Sequence, residues 1–380
     1  MENNLNYIWA NQIVTSLTNL GISDYCICPG ARSTPIAYEI ACKNNISSIS
    51  IHDERNGGYF ALGIAKRSSK AVAIVSTSGT AVANLLPAVI EAYYSMTPLV
   101  LLTADRPPEL IDTGSNQTIN QDGIFSSFVR YECNLGIPKE NCMQQMIESI
   151  YQGISVASST IPGPVHFNIP LHEPIAPTES IHDLYNHNLE LTRSQPIKYN
   201  GSIDIGNNPI IVVGPLQYSS LQEEIVTLAK MSGALIMPDP LSNIISNDET
   251  NKYIVSSYDY LLRSIDIRPS SIIRFGTKPT SKVLNQWLEK NETIVFSIQS
   301  HNRFNDDVEN IIVCEPISFC RNIISQYDKY SIPWNDLLVK LQSAISKKLY
   351  VYNNHSIPCF VLDTNESVGD VILVTIELSA

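Results

Sequence analysis

The sequence predicts an α/β protein built from two successive doubly wound, mainly parallel-sheet domains. Three observations predict this class. Short apolar runs alternate with stretches of helical periodicity, and they do so twice along 380 residues. The connections between them are short, which in a β-α-β order implies right-handed crossovers and a parallel sheet with helices on both faces. Between the two series lies a segment rich in Pro, Asn and Ser with no strong periodicity, which reads as a linker. The length suffices for two or three domains, each burying its own core.

The first series opens with a helix over Leu5 to Leu20, with apolar residues three and four apart. A short strand follows at Asp24 to Cys28 and a helix at Pro35 to Lys43. Ser47 to His52 reads as a strand, Arg55 to Arg67 as a helix, Ala71 to Ser76 as a strand and Thr80 to Tyr94 as a helix. Leu99 to Thr103 is the fourth strand. A helix near Cys142 to Ser159 and a fifth strand, "PVHFNIP" from Pro164 to Pro170, close the domain, which spans 1–175.

Residues 176–208 form the linker. The second domain, 209–326, carries strands in "PIIVVG" at Pro209, "ALIMPD" at Ala234, "SIIRFG" at Ser271, "TIVFSI" at Thr293 and "NIIVCE" at Asn310. The tail, 327–380, holds one helix at about Trp334 to Leu349 and at most two strands.

Composition narrows the function. Apolar residues make up 44% and charged residues 16%, ordinary for a globular protein. With 37 acidic against 25 basic residues and a net charge of −12, no basic stripe exists, so nucleic acid is not expected as a partner. Anionic small molecules remain open, because a few local arginines can hold them. No run of about 18 apolar residues occurs, so no membrane span is expected. The start "MENNLNYIWANQIVTSL" has neither a basic n-region nor an apolar h-region, so no secretory signal is read. None of the eight cysteines sits in a CxxC pair, and they read as reduced core residues of a cytoplasmic protein.

In a parallel sheet the loops leaving the strand ends gather at one edge, where open α/β folds bind ligands. After the first strand comes "CPGARST", with Pro29, Gly30, Arg32, Ser33 and Thr34. "HDE" follows the second, ending in Glu54. "TSGT" follows the third, with Thr77, Ser78 and Gly79, and "ADRP" follows the fourth, with Arg106. Each piece has a bland reading. An arginine after a strand is often a surface residue, Asp53–Glu54 suits an acidic first helical turn, and Thr77–Thr80 suits a helix cap. A core does not require two arginines, a carboxyl pair, hydroxyls and a Gly turn in four successive loops, and this convergence favours a ligand site.

The stretches "CPGARSTP", "IHDERNGGYFALGIAK", "TSGTAVANLLPAVIEAYYS", "LTADRPPEL", "NQTINQ" and "GPVHFNIPLHEP" occur in this order. Together they resemble the thiamine-diphosphate-dependent 2-succinyl-5-enolpyruvyl-6-hydroxy-3-cyclohexene-1-carboxylate synthases (MenD family). "TSGTAVANLLPAV" alone marks only the wider superfamily that includes acetolactate synthase. The resemblance is strong to about residue 175 and fainter beyond, where "RFGTKPTSKVLNQWL" is the best match.

The resemblance implies a pyrimidine-type domain followed by a Rossmann-like middle domain, and a transferase of menaquinone biosynthesis. Such an enzyme decarboxylates 2-oxoglutarate, joins the succinyl unit to isochorismate and releases carbon dioxide. By resemblance Glu54 is the cofactor-activating residue at the aminopyrimidine, where a carboxyl in an apolar pocket could hold the proton this contact needs. Pro29, Gly30, Thr77, Ser78 and Gly79 line the cofactor. Arg32, Ser33, Arg106, Gln117, Lys282 and Arg303 face substrate, and guanidinium forks suit substrates that are polyanions.

Two departures stand out. The family has Ser where this chain has Ala31. The superfamily also holds the cofactor diphosphate and Mg²⁺ on a third domain that carries Gly-Asp-Gly followed by Asn. No Gly-Asp-Gly occurs here, and the nearest candidate is "VGD" at Val368–Asp370. The expectation is therefore a chain holding the first two of three modules, truncated and inactive alone, with no metal ligand of its own. The complete protein is expected to be a homo-oligomer, a dimer or tetramer. Two alternatives remain, a non-catalytic remnant that binds or docks, and an acetolactate-synthase-like enzyme.

Overall fold

A computed structural model describes residues 5–176, 196–216, 221–245, 252–301, 308, 310–334 and 338–341. The chain divides into two units, Met1–Gln195 and Pro196–Ala380.

In the first unit the elements run α1 (Leu5–Asn19), β1 (Asp24–Ile27), α2 (Thr34–Cys42), β2 (Ser47–Ser50), α3 (Glu54–Ser68), β3 (Val72–Ser76), α4 (Thr80–Asn84), α5 (Leu86–Tyr94), β4 (Leu99–Asp105), β5 (Tyr131–Asn134), α6 (Met143–Ala157) and β6 (Val165–Pro170). The six strands lie in the order β2-β1-β3-β4-β6-β5, and every pair is parallel.

Period-2 alternation divides the central strands between two cores. Ala73, Val75, Val100 and Leu102 face one layer, filled by α1, α2 and α6. Val72, Ile74, Leu99 and Leu101 face the other, filled by α3 and α5. Helix α6 shows why the sequence folds this way. Met143, Met146, Ile147, Ile150, Ile154 and Ala157 recur at three- and four-residue spacing and are all buried. Truncating Ile150 to Ala would cost about 2–5 kcal/mol, as is usual for a core aliphatic side chain. Helix α1 is buried over most of its length, and it also ties down the chain after β6. Asn6 Nδ2 donates to the carbonyls of His172 and Pro174, and the Tyr7 hydroxyl donates to Ile175 O at 2.7 Å.

Two local expectations need correction. The single helix expected over Thr80 to Tyr94 is two, α4 and α5, meeting at Leu85. Pro87 lies in the first turn of α5, and its missing N–H and its ring interrupt the helical ladder there. The sheet also gains a strand, since five were expected and six are present. Strand β5, "YECN", is short and half-buried, with polar residues at alternate positions, so its sequence carries little strand signal.

In the second unit β7 (Ile210–Val213), α7 (Gln222–Ser232), β8 (Leu235–Pro238), α8 (Tyr258–Ser264), β9 (Ile272–Phe275), α9 (Lys282–Lys290), β10 (Val295–Gln299), β11 (Asn310–Val313) and α10 (Pro316–Ile324) form a second parallel sheet of order β11-β10-β9-β7-β8. Its five strands are those expected. One face packs on α7 and α10 and the other on α8 and α9. Residues 196–208 are more than a linker, because Ile205 is buried in this core with Tyr199 and Ile203 packed beside it. The start of the tail also belongs to this unit. Leu338 is buried, and the Trp334 indole N–H donates to Pro209 O at 2.8 Å. The rest of the tail, including most of its expected helix, lies outside the described residues.

Candidate active site

Because all strands of the first sheet are parallel, the loops after β1, β3, β4 and β6 share its carboxyl edge. The loops after β1 and β3 touch. A Cβ on Gly30 would stand 2.4 Å from the Thr77 Cβ. Gly30 has an extended backbone, φ −171°, so it is space that demands glycine here. Gly79 is different. It caps α4 at φ +82°, and a Cβ there would also meet Gln117 Cγ at 2.9 Å.

Gln117 is joined to the same turn twice. Its Nε2 donates to Ser78 O at 3.1 Å, and the Ser78 hydroxyl donates back to Gln117 O at 3.0 Å. Gln117 is exposed and holds a left-handed conformation, φ +56°, uncommon for a residue other than glycine.

The "CPGARST" segment does not present its arginine to solvent. Ala31–Ser33 form a turn of 3-10 helix that leads into α2 and turns Arg32 and Ser33 inward. Arg32 is 4% exposed, donating from Nη1 to Leu171 O at 2.9 Å and from Nη2 to Glu173 Oε1 at 2.8 Å. Ser33 is fully buried and donates to Gly30 O at 3.0 Å, so its hydroxyl serves the loop itself. Pro29 and Ala31 are exposed.

Arg106 is half-buried. Its Nε is buried with no hydrogen-bond partner, and no ion pair holds its guanidinium among the described residues. Burial, and then the like charge of Arg106, hold the Arg32 guanidinium below its ordinary pKa. The two guanidiniums are close enough to repel, and among the described residues only Arg32 has a carboxylate paired with it.

The "HDE" loop behaves in part as its bland reading has it. Asp53 caps α3, its carboxylate accepting from Asn56 N at 2.8 Å. Glu54 begins the helix and is half-buried rather than enclosed in an apolar pocket of this unit. Its charge acts on the buried Cys28 thiol, whose pKa is pushed up to about 12 by burial and then by Glu54. Cys26 and Cys28 are both fully buried, as expected.

A polar network lies behind these loops. Gln121 is fully buried. Its Oε1 accepts from Gly79 N at 2.9 Å, and its Nε2 donates to Ala104 O at 3.3 Å and to Asn168 Oδ1 at 2.8 Å. Asn168 Nδ2 donates to Asp105 Oδ2 at 2.7 Å, and Asp105 Oδ1 accepts from Arg106 N at 2.7 Å. Burial raises the Asp105 pKa to about 6, against the lowering by these two hydrogen bonds and by Arg32.

Thr103 Oγ1 lies 2.9 Å from the same Asn168 Oδ1, which only accepts, so Thr103 donates to it. His166 Nε2, 2.7 Å from Thr103 Oγ1, is thereby assigned as a donor, and one proton is shared between His166 Nδ1 and Glu132 Oε1, 2.9 Å apart. The hydrogen bond from His166 is the main cause holding the Glu132 carboxyl below its usual range.

Sequence reasoning named Gln117 in "NQTINQ" and passed over Gln121 in the same motif. A signal was available in "PVHFNIP", where two polar residues, His166 and Asn168, share one face of an otherwise apolar strand. The first unit brings together Pro29, Gly30, Arg32, Ser33, Thr77, Ser78, Gly79, Arg106 and Gln117, with Glu54 at the start of α3 after β2. Lys282 belongs to the second unit, exposed at the first position of α9, and Arg303 lies outside the described residues. Among the described residues no cluster of three metal-ligating side chains occurs, and no helix is long and apolar enough to cross a membrane.

A six-stranded parallel sheet with these loops at its carboxyl edge defines a class. Residues 9–124 match the family described as thiamine pyrophosphate enzyme, N-terminal TPP binding domain. Over most of its length the chain is similar to the 2-succinyl-5-enolpyruvyl-6-hydroxy-3-cyclohexene-1-carboxylate synthases. It is 37% identical to the synthase of Nostoc sp. over 76% of this chain and 54% of the relative. The figures are 30% for Halobacterium salinarum, over 90% and 64%, and 32% for Staphylococcus aureus, over 95% and 65%. The chain thus spans between about half and two thirds of these relatives' length.

Proposed function

We propose that the chain is the part of a 2-succinyl-5-enolpyruvyl-6-hydroxy-3-cyclohexene-1-carboxylate synthase that receives the aminopyrimidine of thiamine diphosphate and the substrate carboxylates. The observation that carries this reading is the arginine pair at the sheet edge, Arg32 buried and Arg106 with no ion pair among the described residues. The substrates in this proposal, 2-oxoglutarate and isochorismate, are both dianions.

The residues fit the cofactor. Gly30 and Gly79 let the loops that carry Thr77 and Gln117 pack directly against them, which makes a rigid, close-packed turn to receive the ring. Glu54 offers a half-buried carboxyl at the start of α3, in the loop after β2. When bound, thiamine diphosphate supplies a thiazolium carbon that adds to a 2-oxo acid and serves as an electron sink for loss of carbon dioxide. The protein's own contribution is positional and electrostatic. Glu54 holds or passes a proton at its carboxyl, Arg106 neutralises and orients carboxylates, and the buried Arg32 adds positive charge behind it. Gln117, pinned to Ser78, presents polar atoms at the rim. Lys282 and Arg303 are further carboxylate partners in the same reading.

Magnesium enters this proposal as the counter-ion of the diphosphate, and no residue of this chain is assigned to it. Assembly as a homo-oligomer is supported by the exposed Tyr59 and Phe60 on α3 and by the exposed β2. A cytoplasmic site of action agrees with the seven described cysteines, all of them free.

The test is catalytic. A version extended to the relatives' full length is incubated with thiamine diphosphate and Mg²⁺. Carbon dioxide release that requires both 2-oxoglutarate and isochorismate supports the proposal. Acetolactate formed from pyruvate, with no reaction of 2-oxoglutarate, overturns it in favour of the acetolactate-synthase-like alternative.

A further inference from the structure

We propose that Gln121 is a positioning residue, whose carboxamide holds the Gly79 amide and so fixes the Ser78–Gly79 turn against which the ligands bind. The inference rests on the proposed function only in naming thiamine diphosphate as the ligand of that turn.

Gly79 occupies an awkward place. It is the N-cap of α4, with no side-chain cap of its own, and its left-handed φ of +82° turns its N–H away from the helix ladder. A buried N–H without an acceptor is costly, and here one side chain supplies the acceptor, Gln121 Oε1 at 2.9 Å. Gln121 comes from a loop 42 residues further along the chain, so this bond ties the loop after β3 to the loop after β4.

The direction of the carboxamide is fixed from the other side. Its Nε2 faces Ala104 O and Asn168 Oδ1, both acceptors, so the amide cannot flip without opposing like dipoles at both ends. Asn168 is oriented in turn by Thr103 and Asp105, and Thr103 by His166. The result is a buried, directional chain anchored in β4 and β6, the two strands of the sheet that share the longest register. Its free end is the acceptor presented to Gly79. A fully satisfied buried network of this kind rigidifies the element it touches, and a site placed on such an element is preorganised.

Among the described residues no other side chain bonds the Gly79 amide. Gln117 holds Ser78 from the solvent side, is itself exposed and sits on strained backbone. Gln121 is buried and holds the turn from the core side.

Residue-resolved amide exchange on the full chain tests this without any ligand. In the unaltered chain the Gly79 amide is expected to exchange at least tenfold more slowly than an unstructured amide, although it lies in a loop. Gln121→Met is close in size but removes both the acceptor and the donor. It is expected to abolish protection at Gly79 and leave it at Cys28, whose N–H donates to Val75 O within the sheet. Gln121→Glu keeps the acceptor and is expected to retain part of the Gly79 protection.

Unprotected Gly79 in the unaltered chain, undiminished protection in Gln121→Met, or equal loss in the Met and Glu variants would overturn the assignment. If Cys28 loses protection as well, the Met variant has lost the sheet, and the unaltered chain decides. Thiamine diphosphate affinity, measured in a version of the relatives' length, separates the two readings. Gln121→Met is expected to weaken it at least tenfold. Lost Gly79 protection with unchanged affinity would keep the tether and overturn its role in holding the cofactor.

Discussion

A Cβ on Gly30 would lie 2.4 Å from the Cβ of Thr77, closer than any two such atoms can stand. The loops after β1 and β3 are therefore in direct contact, and one residue without a side chain allows it. Gly30→Ala is expected to destabilise the first unit by about 1–3 kcal/mol, the usual cost of overpacking. Gly63→Ala is the control. Gly63 is exposed in α3 with nothing within 4 Å of an added Cβ. Since Gly costs a helix about 0.5–1 kcal/mol relative to Ala, that variant is expected to be neutral or stabilised. Denaturant unfolding of the two variants checks the contrast, and equal effects would show that the loops yield.

The two arginines of the site are expected to separate by experiment. Arg32 supplies the donor for the carbonyl of Leu171, a fully buried residue, and pairs with Glu173. Arg32→Ala leaves that carbonyl without its partner and is expected to cost about 1–3 kcal/mol. Arg106→Ala removes no ion pair among the described residues and is expected to shift stability by less than about 0.5 kcal/mol. In a version of the relatives' length both variants are expected to raise the KM for the substrates. A thermal melt of each variant is the check, and a larger loss for Arg106→Ala would contradict this division.

Asp105 gives the first unit a pH dependence of definite sign. Its folded pKa, raised by burial to about 6, lies above the ordinary value of 3.8, so the folded state binds this proton more tightly than the unfolded state. Its stabilising contribution is complete below about pH 4 and is lost as pH rises through about 6. Asp105→Asn removes the titration at a fixed cost in hydrogen bonds. The stability of this variant relative to the unaltered chain is expected to rise between pH 4 and pH 7 and to level off above. Melting curves across that range are the measurement, and a difference independent of pH would contradict it.

The layered fold could be read from the sequence because it rests on periodicity. The strands β1, β3, β4 and β6, and all five of the second sheet, are short apolar runs, and α1 and α6 repeat their apolar residues at helical spacing. Strand β5 could not be read, because a half-buried edge strand of four residues needs no apolar pattern. The break at Pro87 was legible and was passed over, since the apolar spacing continues across it.

Within the site, residue types marked the right loops, but a loop's residue types do not say which way its side chains turn. Arg32 and Ser33 turn inward to bond the chain's own carbonyls, and Asp53 serves as a cap. Gln121 draws its importance from partners 17, 42 and 47 residues away, a relation that only the folded sheet creates.

The central claim is that this edge activates thiamine diphosphate through Glu54, and proton exchange at the thiazolium C2 tests it most directly. In a version of the relatives' length, Glu54→Gln is expected to slow that exchange by about 10²–10⁴, the range typical for loss of a positioned acid or base, while the melting temperature stays within a few degrees. Exchange at the unaltered rate in a folded Glu54→Gln variant would contradict the account.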